Sequence, residues 1–396
     1  MKKMLAILLS FALVLSVTAA LGEPVTIKFA AQADPTPATQ AVVDAFNASQ
    51  SDYKVEWVDM TNDSGAMREQ LTTSLKAGSS DYDIISMDVV WAGEFAASGY
   101  IQPLDMMLED AGLNVADYNA GSMASGNYNG KQYVLPFFPD LGLLYFRTDI
   151  VSKEDAEKLV AGTYTWDDLL AMAEKYAGQG GTTTGIVFQS SLYEGLVCNA
   201  NEFTSNWKDI KGGLETMKKF TTSKAVPENI LNYTEGETAN SFIKGESVFA
   251  RNWPYMWGSI KSDGTIKNDQ VAVAPLPGGS TVGGWILGIN KNSKSPEGAF
   301  AFMKFLNSED GQVIMSEKGG YLPGLNKMLT DERILKADER LGMVGFQNAL
   351  KTTIARPVSA EYSKVSDALQ QAIYPYLSGS AELDATVAAV QAALAQ

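Results

Sequence analysis

Between residues 25 and 105 the hydrophobic pattern alternates between a period of 2 and a period of 3.6, and this alternation constrains the fold more than any other feature. Val25, Ile27 and Phe29 alternate along VTIKFA, as in a half-buried strand. The breaker cluster Asp34-Pro35-Thr36-Pro37 follows, after which Val42, Val43 and Phe46 fall on one helical face. Tyr53–Met60 reads as a second strand, Met67, Leu71 and Leu75 mark a second helix, and residues 83–86 read as a third strand. Strand, helix, strand, helix, strand predicts a parallel sheet with crossover helices. The third strand runs into an acidic and aromatic turn, Asp88 to Trp91, and a helical segment that stops at Gly99 and Pro103. A carboxylate and an indole thus sit at the carboxyl end of a strand, the edge where open α/β sheets hold ligands.

A chain of 396 residues exceeds what one hydrophobic core normally serves, so two domains of roughly 150–200 residues are expected. The first 22 residues stand apart. Lys2 and Lys3 precede an apolar run, residues 4–17, and a small-residue zone, the pattern of a cleavable secretory signal with cleavage after Ala19, Ala20 or Gly22. The run is shorter than the roughly 20 residues a spanning helix needs. Cys198 is the only cysteine, so no acylatable cysteine follows the apolar run and no intrachain disulfide can form. The expected product is a periplasmic protein without a lipid anchor. Its formal charge is −15, and removing Lys2 and Lys3 leaves 29 basic against 46 acidic residues, or −17. A surface of that sign repels nucleic acid and anionic lipid, so no nucleic-acid partner is expected. Histidine is absent, which removes Ser-His-Asp and Cys-His catalysis and histidine-ligated metal sites. No metal or cofactor is expected, and an enzyme would have to work through carboxylates, Lys or Tyr.

Further along, residues 133–146 are extended but interrupted by Pro136 and Pro139, which suits a strand passing from one lobe to another better than a central sheet strand. Thr165-Trp166-Asp167-Asp168 reads as a capping box. In VAVAPLPGGSTVGGWILGIN, residues 271–290, two apolar strand runs flank a Pro/Gly-rich segment, a second crossing. Ser295-Pro296-Glu297 is a helix start, and the loop at residues 319–324 is read as a third crossing.

YDIISMDVVWAGEFAASGYIQPLD, NGKQYVLPFFPDLGLLYFRTDI, TWDDLLAMAEKY, FIKGESVFARNWPYMWGSI, APLPGG with GGWILGINKNSKSPEGAFAFMKFL, and ARPVSAEYSKVSDALQQAI follow one another along nearly the whole mature chain. In these stretches the sequence resembles the family 1 extracellular solute-binding proteins of ABC importers, and within them the trehalose/maltose-binding branch. The resemblance implies an α/β, two-lobed periplasmic binding protein fold of type II, with three interlobe crossings and a ligand cleft that closes by hinge motion. It divides the chain into a signal peptide (1–22), a first lobe (23–139 plus 279–322) and a second lobe (140–278 plus 323–396). It also implies permease subunits in the inner membrane as partners and a monomeric, non-catalytic protein. Carried over residue by residue, the cleft positions are Asp88 and Trp91 in DVVW, Asp140 in FFPD, Trp253 and Tyr255 in NWPY, Gly284 and Trp285 in GGW, and Arg356 in ARP. The turn after DVVW departs from the proline-rich pattern common in the branch, with Ala92-Gly93 in its place.

A pyranose presents apolar C–H faces and a rim of hydroxyls, so its site needs flat aromatic walls and fixed planar polar groups. Each candidate also has a plainer reading. Trp253, Tyr255 and Trp257 form an aromatic run that could be core, although Pro254 puts the first two at alternating spacing. Trp285 and Trp91 could be core indoles; two glycines before Trp285 allow close approach of the chain to a ligand. Asp88 suits an N-cap and Arg356 a salt bridge to a helix end. Asp140 lies in an apolar run where an unpaired acid is costly. Gln32 and Glu202 are further cleft candidates. Two function classes follow: a binding protein for a neutral disaccharide such as trehalose or maltose, or a glycoside hydrolase using Asp88 and Asp140 as paired acids. Other ligands in the binding class are a sucrose-like glycoside, a monosaccharide or a polyol phosphate, and only Arg356 and Arg251 are placed to meet a phosphate.

Overall fold

The computed structural model describes residues 23–357 and 361–395, so the expected signal segment at 1–22 lies outside the described residues. The alternation near the start of the chain is realised as β1 (Val25–Gln32), α1 (Ala38–Ser49), β2 (Tyr53–Met60), α2 (Ser64–Lys76), β3 (Ile84–Asp88) and α3 (Ala92–Ala97). β1 pairs in parallel with β2 on one side and β3 on the other. Ile27 and Phe29 on β1, Val42, Val43 and Phe46 on α1, and Met67, Leu71 and Leu75 on α2 are buried, each on the face its period assigns.

The chain continues through β4 (Val134–Leu141), β5 (Leu143–Arg147), β6 (Thr184–Val187), α4 (Glu194–Phe203), β7 (Ser247–Asn252), β8 (Val271–Ala274) and β9 (Ser280–Ile289). Then follow α5 (Glu309–Gly319), α6 (Glu332–Ala337), α7 (Val344–Lys351), β10 (Thr353–Ile354) and α8 (Tyr362–Ser378). These strands build two sheets, one per lobe. The first runs β2-β1-β3-β9, with β4 antiparallel and β10 parallel to β9; the second runs β8-β5-β7-β6. β4 tolerates Pro136 and Pro139 because among the described residues it pairs with no strand but β9, so the missing N–H donors break no second ladder. Elsewhere the local signals hold: Thr165 and Asp168 form a reciprocal capping box on the helix Trp166–Tyr176. Trp166 then stacks on Phe203 at 4.0 Å in the second-lobe core.

The chain passes from the first sheet to the second at Gly142, between β4 and β5, and returns over residues 275–279, between β8 and β9. The third passage is not at residue 322. Gln312 Oε1 accepts the Gly324 N–H at 2.5 Å, Leu325 bridges to Tyr118, and α6 packs on α5, all of which keep the chain on the first lobe. Only after α6 does it reach the second lobe, where α7 packs on β8 and α8 packs on α4. The glycines at 319–324 therefore turn the chain within one lobe.

Candidate functional site

β9 lies between β3 and β4, and its register draws distant parts of the sequence into one row. Trp285 stands opposite Asp88 on one side and Phe138 on the other, while Gly283 stands opposite Asp140. The register shifts between Trp285 and Ile286, a bulge of the kind that re-aims a side chain at the end of a ladder. These strand ends face a cavity of about 580 Å³ between the two lobes.

Asp88, Asp140, Gly284 and Trp285 from the first sheet, Trp253 and Tyr255 from the second lobe, and Arg356 all line this cavity, as does Gln32. Trp91 is not in its lining. Its side chain is buried, stacked on Phe95 with centroids 6.3 Å apart and meeting Trp285 edge-on at 5.4 Å, so it backs the cleft indole from behind. Trp257 is core, 1% exposed. Glu202 is fully buried beneath the cleft, ion-paired with Arg251.

The aromatic wall of the second lobe is held rigidly. Arg251 donates to both Glu202 oxygens at 2.9 and 2.6 Å, and its guanidinium lies 4.0 Å from the Trp253 ring centroid. A buried charge without a partner would be costly, and here the bidentate pair is further met by the Thr281 N–H at 3.1 Å. On its edge, Trp253 Nε1 donates to Glu235 Oε1 at 3.2 Å, and the Tyr193 hydroxyl donates to Glu235 Oε2 at 2.6 Å. Burial and the Glu235 charge raise the Tyr193 and Tyr255 hydroxyls well above their ordinary range, so both remain neutral donors. Arg340, itself fully buried and paired with Asp338, donates to the Pro254 and Gly320 carbonyls and fixes the Trp253-Pro254 turn from below. Gly283 completes the fit. A Cβ there would lie 2.8 Å from the Trp253 ring, so the glycine makes room for the indole of the opposite lobe. Gly284 has φ +118° and a Cβ there would meet Phe138 O at 2.7 Å, which excludes any side chain.

The polar groups differ in how far they are already engaged. Arg356 donates to Asp88 at 2.5 Å through Nη2 and at 3.1 Å through Nη1, and to Glu194 at 2.9 Å. Asp140 is the contrast: its Oδ1 is buried and has no hydrogen-bond partner among the described residues. Burial pushes its pKa well above the ordinary value, with Arg340 and Arg251 pulling it down and Asp88 adding to the rise. A ligand hydroxyl is the donor this acceptor lacks. Five carboxylates, Asp63, Asp88, Asp140, Glu194 and Glu235, line the cavity against one guanidinium, Arg356, a balance hostile to phosphate. Tyr193, Glu194, Glu235 and Tyr321 were not found by sequence reasoning. Tyr321 stacks on Phe138 at 4.3 Å and donates to Asp34, closing the first-lobe wall.

The arrangement combines flat apolar faces with carboxylate acceptors, the equipment for a polyhydroxylated ligand. Comparison with known proteins agrees. The chain is 29% identical over 362 residues to a probable ABC transporter-binding protein of Deinococcus radiodurans, covering 84% of this chain and 83% of that one. It is 23% identical over 333 residues to the mannitol-binding protein of Pseudomonas aeruginosa, covering 75% and 73%. Its fold matches maltose-bound MalE3 of T. maritima with a TM-score of 0.83, 29% identity and coverage of 94% and 99%. The model of the bacterial extracellular solute-binding proteins matches residues 32–313, and the chain belongs to that family.

Proposed function

We propose that the protein binds a neutral α-linked glucose disaccharide, of the maltose or trehalose type, in the periplasm, and delivers it to the permease subunits of an ABC importer. As a member of the solute-binding family with sugar- and polyol-binding relatives, the chain is a substrate-binding component of an ABC transporter. The finer reading rests on one observation above the others: Trp253, Tyr255, Trp285 and Phe138, drawn from both lobes, line one cavity together with the unpartnered Asp140. Aromatic side chains suit the apolar faces of sugar rings, and about 580 Å³ lies within the range of small-molecule sites. Maltose in the T. maritima relative supports the same ligand class. Binding favours the closed lobes because the walls come from both, and no residue acts as a catalyst. Asp88 has both oxygens on Arg356, which speaks against Asp88 and Asp140 working as a hydrolytic pair. The mature protein is read as a monomer beginning near residue 23.

A polyol is the second reading, supported by the mannitol-binding relative. A polyol phosphate is disfavoured by the carboxylate excess at the wall. The test is isothermal titration of residues 23–396, stripped of ligand by unfolding and refolding, with maltose, trehalose, sucrose, glucose, mannitol and glycerol 3-phosphate. Micromolar binding of maltose or trehalose, roughly −8 kcal/mol, abolished by Trp253→Ala, is the expected outcome. Heat from mannitol or glycerol 3-phosphate alone overturns the disaccharide reading.

A further inference from the structure

A chain of charges crosses the seam between the lobes. Arg356 lies between β10, which pairs with β9 of the first sheet, and α8, which packs on α4 of the second lobe. Its guanidinium is bonded in both directions, to Asp88 at the end of β3 and to Glu194 at the start of α4. Glu194 is in turn fixed to the first turns of α8, accepting from the Tyr362 hydroxyl and Ser366 Oγ, each at 2.5 Å. Beside it, Ser363 Oγ of α8 donates at 3.1 Å to Glu94 on α3, whose other oxygen pairs with Arg68 on α2 at 2.5 Å. Two carboxylates, Glu194 and Glu94, therefore meet the start of a 17-residue helix, the end at which a helix favours anions.

The burial of this set decides its behaviour. The Arg356, Asp88 and Glu194 side chains are 3%, 11% and 16% exposed, so water screens them little. One cation serves an acid from each lobe. If Glu194 moves away from Asp88, Arg356 cannot follow both, and one carboxylate is left desolvated without its partner.

We propose that Glu194 is a positioning residue for closure: through Arg356 it ties the second lobe to Asp88, so that retention of the ligand depends on an ion pair made within the protein. Glu194 reaches the cavity wall, yet both its oxygens already accept bonds from protein donors. Its influence on the ligand runs through the lobe angle and through the orientation of Arg356. The affinity arm of this inference rests on the sugar reading above; the lobe-separation arm does not.

The test uses residues 23–396 with spin labels at Lys76→Cys and Lys224→Cys, exposed positions on the first and second lobes; the native Cys198 is buried. Glu194→Gln keeps the side-chain shape and removes the charge. In ligand-free protein its interlobe distance distribution should shift to larger separations than in the parent. Its maltose dissociation constant should rise about tenfold, carried by the dissociation rate, with the association rate changed less than about threefold. Ser363→Ala, outside the cavity lining, removes the neighbouring seam bond and should move both readouts in the same direction by less, which covers the case of a poorly folding Glu194 variant. Unchanged distance distributions in both variants overturn the inference, as does an affinity loss carried by the association rate. If the parent binds no sugar at all, the sugar reading fails, while the distances still decide the role of Glu194.

Discussion

Replacing Asp140 by asparagine separates what this carboxylate does for the ligand from what it does to the fold. Its Oδ1 is buried without a partner among the described residues, and burial holds its pKa well above the ordinary 3.8 despite the Arg340 and Arg251 charges. A folded-state value above the unfolded one means that the folded protein holds the proton more tightly. Stability is therefore fully present below the unfolded value and is lost as pH rises toward the folded one. An unsatisfied buried polar group costs about 1–3 kcal/mol, more if charged. The residue is partly open to the cavity and two arginines offset its charge, so the expected penalty is at the low end, about 1 kcal/mol. In a lobe of this size that corresponds to roughly 2–4 °C. Asp140→Asn should melt about 2–4 °C above the parent at pH 7.5 in calorimetry, with the difference narrowing as pH falls. It should also bind maltose at least about 30-fold more weakly, because an amide matches the hydroxyl less well than a free carboxylate. A lower melting temperature at pH 7.5, or a gain that does not change with pH, would refute the reasoning.

Two further perturbations address the support of the aromatic wall. Glu202→Ala leaves Arg251 buried without a countercharge and should cost about 3–5 kcal/mol, read as a lower urea midpoint at unchanged slope. Replacing both partners, as Glu202→Leu with Arg251→Met, should recover most of that loss. Gly283→Ala puts a methyl group 2.8 Å from the Trp253 ring. The indole must shift, and titration should show maltose affinity reduced about tenfold together with an altered tryptophan emission spectrum; unchanged affinity and emission would mean that the indole has slack.

The first βαβαβ run was legible because period and breakers are local properties, and the row Asp88, Trp285 and Asp140 was legible through a family resemblance that carried the residues but not their contacts. Trp91 shows where locality ends. It lies three residues beyond Asp88, and the start of α3 turns its ring onto Phe95 and the back of Trp285. Glu194 and Glu235 each sit in the first turn of a helix, where an acid is ordinary, so nothing in their neighbourhood in sequence marked them. The purpose of Gly283 was likewise hidden. Its close neighbour is an indole from the other lobe, a contact that exists only once two sheets are assembled. The third passage was misplaced because the bond that folds residue 324 back comes from a helix side chain, Gln312.

The position of β9 between β3 and β4 also sets an order in time. Both neighbours precede it in the chain, and the whole excursion through residues 143–274 comes before it is made. A nascent chain holding β1 to β4 has a gap in the middle of its first sheet, and that sheet closes only when β9 arrives from far along the sequence. Closure by such a distant segment is slow compared with local contacts. A newly synthesised chain thus leaves its first sheet incomplete until nearly three-quarters of it has been made.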